Sequence, residues 1–143
     1  MANTPEEFQA KVDEWVKAVP ERLRAVFRES TQRVAYDAAN AVPVDTGFAR
    51  ASVQASLESM PQIDPTARGV KGGTYSLDTN QLSVVIAQAE LKDTIYVGWT
   101  ASYIQFLEYG HSQRAPQGFV RVNAERWPQI VAEVSAQLKS QAG

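Results

Sequence analysis

The chain has 143 residues, one histidine and no cysteine, and its formal net charge at pH 7 is −2. These numbers exclude a disulfide framework, a thiolate nucleophile and a cysteine zinc site, and they give no indication of strong binding to nucleic acid or to an anionic membrane. No apolar run approaches the roughly 20 residues of a membrane span, and the polar start MANTPEEFQAKVDEW is unlike a signal peptide. We therefore expect a soluble protein made in a cytoplasm, with no membrane partner.

The first 41 residues have the pattern of a long helix. Thr4 precedes a proline and stands three residues before Glu7, which is the sequence pattern of a capping box. Apolar residues then recur at helical spacing. Pro20 predicts either a kink or the start of a second helix. The helix is expected to end near Ala41, because Pro43 disfavours helical geometry at the residue before it.

The middle of the chain predicts a small antiparallel sheet. Residues 51–57 alternate between apolar and polar, as in a half-buried strand. Residues 59–75 are rich in proline and glycine and predict a long irregular loop between two strands. The runs LSVVIA (82–87) and IYVGW (95–99) predict two further strands, joined as a hairpin by the turn at 90–93.

The last third predicts helices again. Residues 101–109 indicate a short helix that ends at Gly110, where a positive φ is needed. Phe119 to the end predicts a C-terminal helix with a break at Pro128. The element order defines an α+β fold. We expect one domain, 1–143, made of a helical segment 1–41, a sheet region 48–100 and a helical segment 101–143.

The tripeptide Asp45-Thr46-Gly47 is also the signature of aspartic proteases. Such enzymes need two carboxylates that share a proton, so a single copy would require a symmetric dimer. Here the tripeptide follows a long helix rather than an apolar strand. We therefore interpret these three residues, like Gly110, as structural turn residues. The homodimeric protease that uses Asp45 is the alternative from another class, and no other catalytic or metal-binding constellation is found.

Three segments, in order, resemble one family. PVDTGFARAS (43–52) resembles the P-x-D-T-G-x-x-R-x-S segment of the HK97 gp10-like family of tailed bacteriophages. YIQFLEYGH (103–111) is similar to that family's Y-x-x-F-x-E-Y-G-T/H segment. APQGFVR (115–121) resembles its P-x-x-F-L-R-P stretch, although Val122 stands where a proline is common. The similarity extends from about Val34 to Val134.

The resemblance implies a tail-completion, or neck, protein with no cofactor. Such proteins form homo-oligomeric rings, usually of six copies, between the head-side connector or stopper proteins and the tail terminator or tail tube. DNA only passes through the channel of the ring. The implied location is the virion, after assembly in the cytoplasm of the bacterial host. The alternative within the same class is a tail-terminator or minor tail protein.

Two groups of residues are predicted to make contacts in such a ring. We expect Glu108 to lie at a subunit interface and to pair with Arg50 or Arg121, so that a Glu108→Lys variant would fold but would not join heads to tails. The full set of interface candidates is Arg50, Tyr103, Ile104, Phe106, Glu108, Tyr109, Arg114, Phe119 and Arg121. The loop 59–75 is predicted to be mobile in a free monomer and to be ordered by an adjacent subunit or by the neighbouring ring. Its candidate contact residues toward that ring are Met60, Ile63, Arg68 and Lys71.

Overall fold

A computed structural model of the chain describes residues 4–44, 46–109 and 118–141. Its elements confirm the α+β class. In chain order they are α1 (Pro5–Ala41), α2 (Phe48–Ala51), β1 (Val53–Ser56), α3 (Asn80–Gln88), β2 (Tyr96–Trp99), α4 (Ile104–Glu108), α5 (Val120–Ala124) and α6 (Trp127–Gln141).

Helix α1 begins and ends where the sequence predicts. The Glu7 N–H donates to the Thr4 hydroxyl at 3.2 Å, and the Thr4 N–H donates to the Glu7 carboxylate at 3.2 Å, which completes the capping box. The helix continues through Pro20 to Ala41, so Pro20 does not divide it into two helices. The cap residue Val42 is extended and precedes a proline, as expected for a residue in that position.

The C-terminal helix packs antiparallel to α1. Arg126, just before α6, forms an ion pair with Asp37 at 3.4 Å, whereas Leu138, near the other end of α6, faces Arg22 across a crevice. Buried Ile130 and Val134 lie on the stripe that the sequence predicts. The sequence predicts a helix break at Pro128, but the break lies earlier, between α5 and α6. Pro128 occupies the first turn of α6, where no backbone hydrogen bond is lost.

The sheet differs from the predicted one. In the described part of the chain β1 pairs only with β2, antiparallel, with Val53 opposite Trp99 and Ser56 opposite Tyr96. The run at 82–87 is helix α3 and not a strand, so the predicted hairpin is wrong. Leu82 and Ile86 are one helical turn apart and are both buried, while Val84 is 57% exposed. Packing at a spacing of four residues therefore overrides the strand preference of the β-branched run.

A side chain of α3 takes the place that a third strand would occupy. The Ala55 N–H donates to the Gln81 side-chain oxygen at 2.8 Å, and the Gln81 amide nitrogen donates to the Ala55 carbonyl at 2.8 Å. These are the two bonds that a neighbouring strand would make with Ala55. The outer edge of β1 is therefore partly closed by a side-chain amide.

The segment between β1 and α3, residues 57–79, has no regular secondary structure, as predicted for 59–75. It connects a strand to a helix rather than two strands. It also makes contacts with its own domain that the sequence did not reveal. The Asp64 N–H donates to Thr100 at 2.9 Å, the Ser102 N–H donates to Ala67 at 3.0 Å, and Ile63 packs against the core. Its mobility in a free monomer stays a prediction.

The core lies where the C-terminal half of α1 meets the sheet, α3 and the start of α5. Phe119 and Leu82 are its largest fully buried side chains.

Helix α4 is shorter than predicted and starts at Ile104, and Gly110 lies outside the described residues. No helix in the described ranges is both long and apolar enough to cross a membrane.

Candidate functional site

The turn after α1 is held against the long loop. Gly47 has a φ of +89°, and a β-carbon added there would overlap the Tyr75 carbonyl oxygen. The Tyr75 N–H donates to the Thr46 carbonyl at 2.9 Å, and the Phe48 and Tyr75 rings meet edge to face with centroids 5.1 Å apart. Gly47 is therefore required both by its backbone conformation and by this close approach. Asp45 itself lies outside the described residues.

Two other residues of the first motif also bond within the chain. The Arg50 guanidinium donates to the carbonyls of Asn40 at 2.7 Å and Val42 at 3.3 Å, and so satisfies carbonyls at the end of α1. The buried Ser52 hydroxyl donates to Ala49 at 2.7 Å and accepts from the Ala101 N–H at 3.2 Å. The motif thus joins α1, α2 and the segment after β2. Arg50 does not pair with Glu108.

Glu108 is the polar centre of the second motif. Its carboxylate accepts the backbone N–H groups of Phe119 at 3.2 Å, Val120 at 2.8 Å and Arg121 at 3.1 Å. The Arg121 guanidinium adds an ion pair at 3.1 Å and also donates to the Glu108 carbonyl at 2.5 Å. Glu108 therefore acts as the cap that α5 lacks in its own preceding residues. It comes from a different element, 12 positions before the first residue of α5.

A glycine makes this cap possible. Gly118 has a φ of +83°, and a β-carbon there would overlap the Glu108 carboxylate. Phe119, the next residue, is fully buried and meets Trp99 edge to face at 5.0 Å. The second and third motifs are therefore two halves of one structure, in which Glu108 fixes the position of Phe119 in the core.

The pKa of Glu108 is lowered by its surroundings. Burial alone would raise this pKa, because desolvation disfavours the charged form. The hydrogen bonds from Val120, Arg121 and Phe119 together outweigh burial, and they hold the pKa below its ordinary value of 4.5. An ionised carboxylate with four donors has no proton to give and no free lone pair for a base, so this residue is structural.

These contacts change the expected role of Glu108. From the sequence we expected Glu108 to lie at a subunit interface, and we expected a Glu108→Lys variant to fold. The structure pairs it with Arg121 inside one chain and buries it, with 12% of its side chain exposed. A lysine would place a cation beside Arg121 and three N–H donors, so we expect the variant to be destabilised. It is not a suitable test of assembly.

Of the exposed candidates, Tyr109 and Arg121 line a groove, whereas Tyr103 and Phe106 are not among its lining residues. Three aromatic side chains of the α4 region are exposed: Tyr103 by 38%, Phe106 by 56% and Tyr109 by 60%. Tyr109 stacks on the Arg121 guanidinium at 5.2 Å. Beside it, a groove of about 470 Å³ runs between the long loop, β2, α4 and α5. Its walls include Met60, Ile63, Val97, Trp99, Tyr109 and Val120.

The structure therefore divides the predicted interface set. Ile104 and Phe119 are buried in the core, and Arg114 lies outside the described residues. Met60 and Ile63 line the groove, whereas Arg68 and Lys71 lie on a separate exposed turn. Residues that sequence reasoning missed are Tyr75, Gln81 and Gly118, each of which acts through a contact distant in the sequence.

The described residues contain no group of three or more histidine, cysteine, aspartate or glutamate side chains that could hold a metal ion. The turn at Thr46 follows helix α1 and leads into helix α2, unlike the strand-borne turn of an aspartic protease. An exposed apolar surface with aromatic residues is typical of proteins that act through surface contacts.

A known protein family matches most of this chain. The family described as "Bacteriophage HK97-gp10, putative tail-component" matches residues 6–110. The match includes the first motif and nearly all of the second, and ends before the third. The chain belongs to this HK97-gp10-like family, whose description is that of a structural component of phage tails. Neither the curated proteins nor the solved structures include a match to the chain.

Proposed function

We propose that this chain is a tail-completion protein. It forms a ring, with six copies as the expected number, at the joint between head and tail. The ring contacts head-side connector or stopper proteins on one face and tail-terminator or tail-tube proteins on the other, and DNA passes through its channel. Subunits are made in the host cytoplasm and end in the neck of the virion.

The observation that carries this proposal, beyond family membership, is an apolar groove with exposed aromatic residues of the α4 region beside it. An apolar surface with aromatic residues is costly to leave in water and is typical of protein–protein contacts. One side of the groove is built from the second and third motif segments, and the buried Glu108 and Phe119 fix the backbone on that side. We infer that the motifs maintain the shape of this surface and that the exposed aromatic residues contact a neighbouring subunit.

A Phe106→Glu variant tests the exposed aromatic surface of α4, next to Gln105 in the wall of the groove. We expect its melting temperature to change by only a few degrees, because the side chain is 56% exposed, while heads and tails remain unjoined. An unpaired charge in an apolar contact costs about 1–3 kcal/mol, repeated at every contact of the ring. The readouts are infectious titre and electron microscopy of lysates of the phage that encodes the chain.

Val84→Glu is the matched control, since Val84 is 57% exposed but lies on α3 rather than on α4. Full heads beside separate tails of normal length, for Phe106→Glu alone, support the neck role. Tails of irregular length would assign the chain to tail termination instead. Normal titres for Phe106→Glu would refute the contact surface.

A further inference from the structure

Two exposed surfaces lie at opposite ends of α1. The first is the acidic arm, residues 5–14 of α1. The crevice between α1 and α6 places Leu138 and Lys139 beside Glu21 and Arg22, so the arm extends beyond the end of α6. Residues 4–11 are all exposed, including Phe8 at 64%. A helix of 37 residues is about 55 Å long, so the arm is far from the Gly47 turn.

The arm is amphipathic and negatively charged. Phe8 and Val12 are four residues apart and lie on one side of the helix. Four acidic residues stand against the single Lys11: they are Glu6, Glu7, Asp13 and Glu14. Glu7 and Asp13 accept hydrogen bonds from Thr4 and Gln9 within the N-terminal part of the chain, but no charge of the arm forms an ion pair with another described element.

The second surface is the basic turn, residues 68–73 of the long loop. It is firmly held: the Gly73 N–H donates to Val70 at 2.8 Å, and the Val70 N–H donates to the Tyr75 hydroxyl at 2.9 Å. Val70 is 69% exposed, and Arg68 and Lys71 beside it are exposed too. Neither cation forms an ion pair with a described residue, and residues 65–77 contain no acidic residue. Val70 is therefore an exposed apolar side chain between the cations Arg68 and Lys71.

We propose that the acidic arm of one copy docks on the basic turn of the next copy, with Phe8 against Val70. This contact deepens the proposed function, on which it rests, by naming a head-to-tail surface between subunits. The basic turn packs on Thr46 and Phe48, just after the C-terminal end of α1, so it cannot reach the arm of its own chain.

Complementary surfaces at opposite ends of one chain make a heterologous contact, which generates a closed ring when the rotation between copies closes. Opposite charges favour the correct pairing and accelerate encounter. DNA would account for Arg68 and Lys71 but would repel the arm and leave Phe8 exposed. A second copy accounts for both surfaces.

Cysteine cross-linking tests the contact in assembled particles. The chain has no cysteine, so Phe8→Cys and Val70→Cys introduce the only thiols. We expect the double variant, treated with a short bis-maleimide, to give a ladder of multimers on a denaturing gel. Each single variant should stop at dimers or remain monomeric. A cross-link within one chain is excluded by the length of α1.

A particle that shows a ring by imaging but yields no ladder overturns this contact and leaves the proposed function intact. Particles with neither ladder nor ring overturn both.

Charge reversal then tests the chemistry of the contact. Arg68→Glu with Lys71→Glu, or Glu6→Lys with Asp13→Lys, should lower the yield of the ladder about tenfold, since attractive pairs become repulsive. Combining both reversals in one chain should restore the yield to within about threefold of the unreversed chain. Lys92→Glu with Lys139→Glu is the control for the Arg68→Glu, Lys71→Glu variant, because it changes the net charge by the same amount in the same direction. Unchanged yields in the two reversal variants, or loss of DNA retention with an unchanged ladder, would overturn the contact.

Discussion

Replacing Glu108 with alanine is expected to lower the free energy of unfolding by about 2–3 kcal/mol, the upper range for the loss of a helix cap and of charged hydrogen bonds. The reason is the number of groups that depend on one carboxylate. Three backbone N–H groups and the Arg121 guanidinium donate to it, and Phe119 is positioned by the first of them. Urea unfolding measures the loss. Glu58→Ala, at an exposed glutamate, serves as the control and should change stability by less than about 0.5 kcal/mol.

The same residue predicts a pH dependence. Because the folded state lowers the pKa of Glu108, its contribution to stability is fully present above the pKa in the unfolded chain, whose ordinary value is 4.5. The contribution is lost as the pH falls through the lower folded pKa. The stability difference between the natural chain and Glu108→Gln should therefore be constant near neutral pH and shrink below about pH 4.5. A difference that grows on acidification would contradict the cap.

The pH profile also separates this role from an interface role. A carboxylate that acted only between subunits would leave the unfolding of a dilute monomer unchanged at every pH. Because the donors all come from residues 119–121 of the same chain, we expect the effect in monomer and ring alike.

The sequence predicted those elements whose signals are local. The capping box at Thr4 and the proline after Val42 define α1 through contacts within one helical turn, and the structure confirms both ends. Helix α3 could not be identified in this way. Its five apolar residues fit a strand equally well, and what decides is that Leu82 and Ile86 pack on a core built by distant segments. Gln81 then satisfies Ala55, so no further strand is needed beside β1.

The candidate site was predictable as a set of residues but not as a set of contacts. The motifs indicated Glu108 and Arg121, but we expected Glu108 to pair at a subunit interface, whereas the structure pairs it with Arg121 within one chain. Their role was not evident, because a glutamate that caps a helix from 12 positions upstream has no local pattern. A positive φ at Gly118 that makes room for a carboxylate likewise depends on tertiary structure. Exposure of Phe106 and Tyr109 follows from burial of Ile104 and Glu108 on the opposite side of the short helix.

Gly47→Ala is expected to cost about 2–5 kcal/mol of stability, since left-handed strain and steric overlap add. A methyl group there would overlap the Tyr75 carbonyl, which is backbone and cannot rotate away as a side chain could. To make room, residue 75 has to move, and its hydrogen bond to Thr46 and its ring contact with Phe48 move with it. Those contacts hold the base of the basic turn.

Gly72→Ala separates strain from overlap. Gly72 has a φ of +79°, close to that of Gly47, yet no atom lies within 4 Å of an added β-carbon. It should therefore show the conformational strain alone, about 1–2 kcal/mol. The difference between the two variants in urea unfolding measures the contact of the Gly47 turn with Tyr75. If the two substitutions cost the same, the turn does not depend on that close approach. If Gly47→Ala costs more, the glycine of this tripeptide is required by the packing of the long loop, as a structural turn residue would be.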